Sequence, residues 1–220
     1  MRRFFLRLAN ETNANSFAAR NRRKRSVHLH RLLDSAGKPG LKILDVGGVE
    51  QFWEFLGLAD SAHTITLLNL DSPVCRHRNM SAVAGDARHM TQFSNRQFDV
   101  ALSNSVIEHV GMYEDQAAMA RELMRVADRV YVQTPNFFFP FEPHFLCPFF
   151  HWLPRGVRIW LVRHFSLGWY TRTPDKASAA RLVDQIRLLR RSELRRLFPG
   201  ASIIRERFLG LTKSFIVIRG

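Results

Sequence analysis

Leu41-Lys42-Ile43-Leu44-Asp45-Val46-Gly47-Gly48 is the stretch on which the fold turns. It is a short apolar run carrying one acid and stopping at two glycines. Such a run, bounded by turn residues, predicts a strand buried on both faces. The glycines let the backbone turn tightly and approach a ligand, which a side chain would obstruct. Gly37-Lys38-Pro39-Gly40 breaks the chain just before it.

Strand and helix patterns alternate from here. Glu50 to Leu58 has Phe52, Phe55 and Leu56 at helical spacing. Thr64 to Leu70 is rich in β-branched and apolar residues and predicts a second strand; Ala82 to Ala84 and Phe98 to Ser103 predict a third and a fourth. Asp115 to Val126 predicts a helix with Met119, Leu123 and Val126 on one side. Arg129 to Gln133 predicts a fifth strand, stopped by Pro135. This alternation predicts an α/β, Rossmann-like, doubly wound and mostly parallel sheet. In such sheets the ligand lies outside the carboxyl ends of the strands.

Residues 137 to 170 break the pattern. They hold eight phenylalanines, three tryptophans and several prolines, which suits neither a regular strand nor one long helix. They read as an aromatic-rich insertion capping the active edge after the fifth strand. Lys176 to Arg190 then predicts a helix. Ser192 is the expected cap of another, which ends at Pro199-Gly200, and two closing strands follow (202 to 207 and 214 to 218). Upstream, Ser16 is the expected cap of a helix from Phe17 to about Leu33. The division is one domain over 1–220: a basic helical segment (1–40), a core (41–136), a cap (137–175), and terminal helices and strands (176–220).

With 220 residues, 46% of them hydrophobic, the chain can bury one substantial core. Its net charge of +14 favours an anionic partner: nucleic acid, an acidic membrane surface or a phosphorylated substrate. Cys75 and Cys147 form neither a disulfide framework nor a zinc pattern, so a reducing compartment, the cytoplasm, is expected and no metal is read. The apolar part of the amino terminus is interrupted by Arg7 and is too short for a secretory signal.

Acids recur where the strands end. Asp71 follows the second, placed to accept bonds from ribose hydroxyls; it also reads as the start of a turn before Ser72-Pro73. Asp86 follows the third and reads equally as a helix cap. Taken in order with the glycines, these stations fit a nucleoside. The pattern Leu-Asp-Val-Gly-Gly, Asp71, Asp86-Ala87 and Asn104-Ser105-Val106-Ile107-Glu108-His109 resembles the class I S-adenosylmethionine-dependent methyltransferases over about 41 to 136. The resemblance implies S-adenosyl-L-methionine as cofactor. It implies that Asp45, Gly47 and Gly48 shape the loop at its methionine end. Asp71 would hold the ribose, Asp86 and Ala87 the adenine, and Asn104, Ser105 and Val106 would run beside the sulfonium. One departure is Val49, which stands where the family shows a second glycine and is expected to narrow the room for the cofactor.

For proton transfer from an acceptor, Glu108, His109 and His144 are the catalytic candidates, with a packed, bracing His109 as the alternative. Asn136, Glu142 and His144 are the substrate-binding candidates. Phe52 and Trp53 could shelter a cationic sulfur or serve the core. A small-molecule or lipid-linked acceptor, methylated at oxygen or nitrogen, is expected. Peripheral contact with an anionic membrane would use the cap aromatics and nearby arginines. An RNA methyltransferase is the weaker alternative, because no Asn/Asp-Pro-Pro-aromatic motif follows the fourth strand. A non-catalytic binding protein on the same fold is the third reading.

Overall fold

The computed structural model describes residues 17–220 except residue 73, with side chains from residue 25 onward. The described residues form nine strands and six α-helices in the order α1 (Phe17–Asp34), β1 (Lys42–Val46), α2 (Glu50–Phe55), β2 (Thr64–Asn69), β3 (Met80–Ala84), β4 (Phe98–Asn104), α3 (Tyr113–Val126), β5 (Ala127–Pro135), β6 (Phe141–Glu142), β7 (Cys147–Pro148), α4 (Arg155–His164), α5 (Lys176–Asp184), α6 (Arg191–Leu197), β8 (Ser202–Phe208) and β9 (Leu211–Arg219). Short 3-10 turns cover Ile107–His109 and Phe150–Trp152.

Seven strands form one sheet in the order β3-β2-β1-β4-β5-β9-β8. The first five are parallel, while β9 runs antiparallel to β5 and to β8. The order reverses between β1 and β4, which opens a crevice beyond their carboxyl ends. Register places Val46 beside Leu68 on one side and Ser103 on the other. Gly47, Asn69 and Asn104 therefore emerge together at that edge.

Alternation along β1 explains its burial on both faces. Leu44 and Val46 join the core under α3 and α6; Ile43 joins the core under α1 and α2. Helix α3 turns Gln116, Met119, Ala120, Leu123 and Val126 inward, all fully buried. Their spacing is one helical stripe.

The cap has an apolar cluster of its own: Phe145, Phe150, Ile159, Val162, Ala179 and Val183. Phe145 stacks on Phe150 with ring centres 4.1 Å apart. The cluster includes α5, so the helix after the expected cap boundary packs with the cap. Three sequence expectations are corrected here. The helix from Lys176 ends at Asp184 rather than Arg190, because the next residues extend along the sheet edge: the Arg187 amide donates to the Glu108 carbonyl (2.8 Å) and Phe137 to that of Leu189 (3.1 Å). The cap of α6 is Arg190, whose amide donates to Glu193 (2.7 Å), while Ser192 lies inside the helix. Pro135 does not precede the strand's end; it is the last residue of β5, pairing with Ser214. The Ser16 cap lies outside the described residues, as do the side chains of the Arg22 to Lys24 run. Among the described residues no helix is long and apolar enough to cross a membrane.

Because the cap carries a separate core, Phe145→Ala is expected to cost about 3–5 kcal/mol locally. Hydrogen exchange should then show lost protection from 141 to 186 with β1, β4 and β5 still protected. Uniform loss across the sheet would mean that cap and sheet unfold as one unit.

Candidate functional site at the carboxyl edge of the sheet

The turn after β1 is closed by three contacts. Gly47 has φ +74°, and a Cβ there would fall onto the Val106 side chain. A Cβ on Gly48 would fall onto the Asp45 carboxylate. Asn69, the last residue of β2, donates to the Gly48 carbonyl (3.0 Å). Asp45 is buried and accepts a bond from the Trp53 indole (2.8 Å). Burial lifts its pKa to about 7, with the indole bond pulling the other way. Trp53 is thus a core residue bracing the acid, not a shelter for a ligand. Val49 has extended backbone (φ −135°) and a side chain 52% exposed, so it points out of the turn. Glu50 accepts bonds from the Arg76 and His77 amides (2.7 and 3.1 Å), which ties down the loop after β2.

The other stations arrive at the same edge in different states. Asp71 lies two residues past β2, is exposed, and makes no hydrogen bond or ion pair among the described residues. Asp86 is held by Arg88 (2.6 to 3.0 Å), which also reaches Asp115 (3.1 Å). The Arg88 bonds, against some burial, hold its carboxyl below the usual range. Ala87 is buried beside it. Asn104 accepts from Arg25 of α1 (3.4 Å). Ser105 has a left-handed backbone (φ +59°), stabilised by two bonds to Gln133 (2.9 Å from its amide, 2.7 Å from its hydroxyl). A non-glycine residue held there is strained, and such strain gathers at functional sites.

A second group joins the cap to this edge. The ring of His144 meets that of His109 edge-on, 4.7 Å between centres. Glu142 is 1% exposed; its carboxylate accepts from the His144 and Phe145 amides (2.8 and 2.5 Å) and bonds His144 Nδ1 (2.7 Å). Glu108 is fully buried: Oε2 accepts from Thr134 (2.9 Å), and Oε1 has no partner among the described residues. Burial raises the Glu108 carboxyl to about 7 despite its own backbone bond and the nearby His144. Burial works against the His144 imidazolium, but the Glu142 bond and charge outweigh it, so its pKa rises. The protein packed around His109, then the His144 charge, push the His109 pKa down; its ring still opens to solvent. Donor atoms of Glu108, His109 and His144 all lie within 4.8 Å of one another.

Behind this cluster is a cavity of about 710 Å³ between cap and sheet edge, lined in part by Phe137, Phe145, Glu142, His151, Arg158 and Arg190. Arg190 lies over the Phe137 ring (4.7 Å). Arg155 pairs with Asp184, but Arg158 has no carboxylate within salt-bridge distance among the described residues, and its Nε is buried without a partner. Asn136, expected at substrate, has both ends of its amide engaged: Nδ2 donates to the Thr212 carbonyl (2.7 Å) and Oδ1 accepts from Phe138 (3.1 Å). It fastens the turn out of β5.

Residues 44–129 match the family model described as a methyltransferase domain. That stretch is less than half of this chain. Its curated relatives include an uncharacterised protein of Mycobacterium tuberculosis, 33% identical over 57 residues; that match spans 26% of this chain and only 20% of the relative's length. The methyltransferase fold is also shared with solved structures. Magnesium protoporphyrin IX methyltransferase from Synechocystis, crystallised with S-adenosylhomocysteine, is 14% identical, covers 96% of this chain and 90% of its own, and superposes with a TM-score of 0.54. 1,6-Didemethyltoxoflavin-N1-methyltransferase from Burkholderia thailandensis is 15% identical over 90% of this chain and 76% of its own, with a TM-score of 0.53.

The sequence reading missed Asn69 and Gln133, and it placed Trp53 at a ligand or in the core without marking its bond to Asp45. Asn69 had a signal, as the final residue of a predicted strand. The other two act through tertiary contacts that no local pattern marks. The arginines at 158 and 190 read only as part of the net charge.

The buried Asp45 yields a pH test. Its folded pKa, about 7, lies above its ordinary 3.8. The folded state therefore binds more protons between those values, and stability falls as pH rises from about 4 to about 7. Asp45→Asn keeps an acceptor for Trp53 and removes that slope. At pH 8 the variant should melt at least about 2 °C above the parent, the lower end of the shift expected from 1–2 kcal/mol in a chain this size. Parallel melting curves at pH 4 and pH 8 would refute it.

Proposed function

We propose that this chain is an S-adenosylmethionine-dependent methyltransferase acting on a small-molecule or lipid-linked acceptor, at oxygen or nitrogen. The observation that carries the reading is the convergence of the glycine turn, Asn69, Asp71, Asp86 and Ser105 at the switch point of a β3-β2-β1-β4-β5-β9-β8 sheet. Asp45 and Val106 leave room for no side chain at Gly48 and Gly47, so the turn stays tight and its backbone bare, and Asp71, exposed and without a partner among the described residues, is placed to take hydroxyl bonds. When bound, S-adenosylmethionine supplies an electrophilic methyl group on a sulfonium.

The protein's task in such a transfer is alignment, worth effective molarities of about 10⁵–10⁸ M when geometry is right. Asn104, Ser105 and Val106 would line the transfer path, and Asp86 with the Ala87 amide would hold the adenine. Glu142 fixes the His144 ring through Nδ1, which leaves Nε2, in the metal-free protein, to take a proton from the acceptor. Glu108 and His109 lie beside that ring, and the Glu142 and Glu108 carboxylates favour its charged form against burial. The cavity offers aromatic walls for an apolar acceptor body and Arg158 for an anionic group on it.

A lipid-linked acceptor is favoured by one further observation. Among the described residues every exposed Phe or Trp lies between 138 and 169, including Trp152, Trp160, Phe165 and Trp169. Arg155 and Arg163 lie on the same helix as Trp160. Aromatics beside arginines suit an anionic headgroup layer.

Calorimetric titration with S-adenosylmethionine should give one site, and Asp71→Ala should weaken it at least about tenfold, roughly 1.4 kcal/mol, with the fold intact by circular dichroism. No binding at millimolar cofactor would sink the enzyme reading. For the lipid-linked half, co-sedimentation with phosphatidylglycerol vesicles should exceed that with phosphatidylcholine and fall in Trp160→Ser/Phe165→Ser. Equal recovery with both vesicle types would leave a small soluble acceptor as the substrate class.

A further inference from the structure

We propose that Glu108, His109 and His144 form a site for a single divalent cation of the zinc, iron(II), cobalt or manganese class, and that the cation staples the cap to the sheet. Two imidazoles and a carboxylate on one side of a metal, with positions left open, is an established ligand set for these ions. Their donor atoms already lie within 4.8 Å of one another. Bound at about 2.0–2.2 Å, adjacent ligands would sit about 3–3.5 Å apart, so closure needs side-chain adjustment of about 1 Å.

Three observations point to a cation rather than to a chance grouping. Glu108 is fully buried, yet among the described residues its Oε1 has no hydrogen-bond donor. An orphaned carboxylate oxygen is costly and calls for a partner. His144 is oriented by a buried carboxylate at Nδ1, so Nε2 is its ligating nitrogen; this carboxylate–histidine–metal order is the usual outer support of a ligand histidine. Thr134 fixes the other Glu108 oxygen in the same way. The exposed ring of His109 marks the way in for the ion. Imidazole ligands argue against calcium and magnesium, which prefer oxygen.

The ligands come from two parts of the chain. Glu108 and His109 follow β4, whereas His144 lies in the cap between β6 and β7. A cation here would cross-link the two and bring its open positions to the boundary between them. An acceptor oxygen on such an ion would be more acidic than in water. The binding claim itself does not rest on the methyltransferase reading.

Apoprotein stripped with a chelator should take up one equivalent of cobalt(II), seen as visible d–d absorption, and one of zinc(II) by calorimetry. His144→Ala and Glu108→Gln should each weaken binding at least a hundredfold. Glu142→Gln, which touches no ion, should weaken it about 10- to 100-fold. His77→Asn, a surface histidine bound to Glu54 and Asp60, should leave it unchanged. Zinc should also raise hydrogen-exchange protection in residues 141–148. If His144→Ala unfolds, His144→Gln replaces it in the series. No uptake by the parent, or uptake that survives both Glu108→Gln and the His144 variant, overturns the proposal. S-adenosylmethionine titration of the same apoprotein separates this failure from failure of the enzyme reading.

Discussion

The contact on which the crevice depends is a carboxylate buried behind a glycine turn. Asp45 sits on the face of β1 opposite Leu44 and Val46, where a hydrophobic residue would otherwise stand. Its one side-chain partner is the Trp53 indole, presented by the helix that starts just after the turn. The pair fixes the angle at which chain leaves the strand. It also makes residue 48 unable to carry a side chain, because the acid occupies that space. Gly47 is constrained from the other side by Val106, which follows β4. Strand β1, its turn and the segment after β4 are therefore one mechanical unit, and the switch point lies inside it.

The cap is organised by a comparable device. Glu142 gathers two backbone amides and a histidine nitrogen around one buried carboxylate. This converts a proline-broken, phenylalanine-rich segment into a fixed loop without regular structure. Gln116 then ties the cap's return path to the sheet, donating to the Ile107 and Arg187 carbonyls (2.9 and 2.8 Å) and accepting from the Arg187 guanidinium (2.7 Å). The consequence is that the loop after β4 is clamped from below by α3 and from above by the cap. Ser105 can hold its left-handed backbone only because its surroundings are this well determined.

What the sequence made legible follows from the range of the forces involved. Strands buried on both faces announce themselves by composition, and Ile43, Leu44 and Val46 behaved as such. The doubly wound sheet was readable for that reason, as was the place of the aromatic insertion. Helix ends were not. Residues 185 to 190 have helical spacing, yet they follow the sheet edge, where the Glu108 and Gln116 bonds outweigh propensity. Site residues divide similarly. Asp45 and the two glycines are local in sequence and in space. The bonds of Asn136 were not legible, because its partners, Thr212 and Lys213, lie more than 70 residues away.

The same distinction explains why chemistry in this molecule should be sought at the seam between cap and sheet. A buried acid with a raised pKa and a histidine with a raised one stand side by side there, each shifted by a different cause: desolvation for Glu108, the Glu142 carboxylate for His144. A purely structural seam would neutralise both by direct pairing or replace them with apolar residues at little cost. Here Glu108 keeps an empty oxygen and His144 spends its partner on orientation. Groups left unpaired in this way retain the capacity to exchange a proton or to share a third charge, and the cavity lined by Glu142 lies next to them.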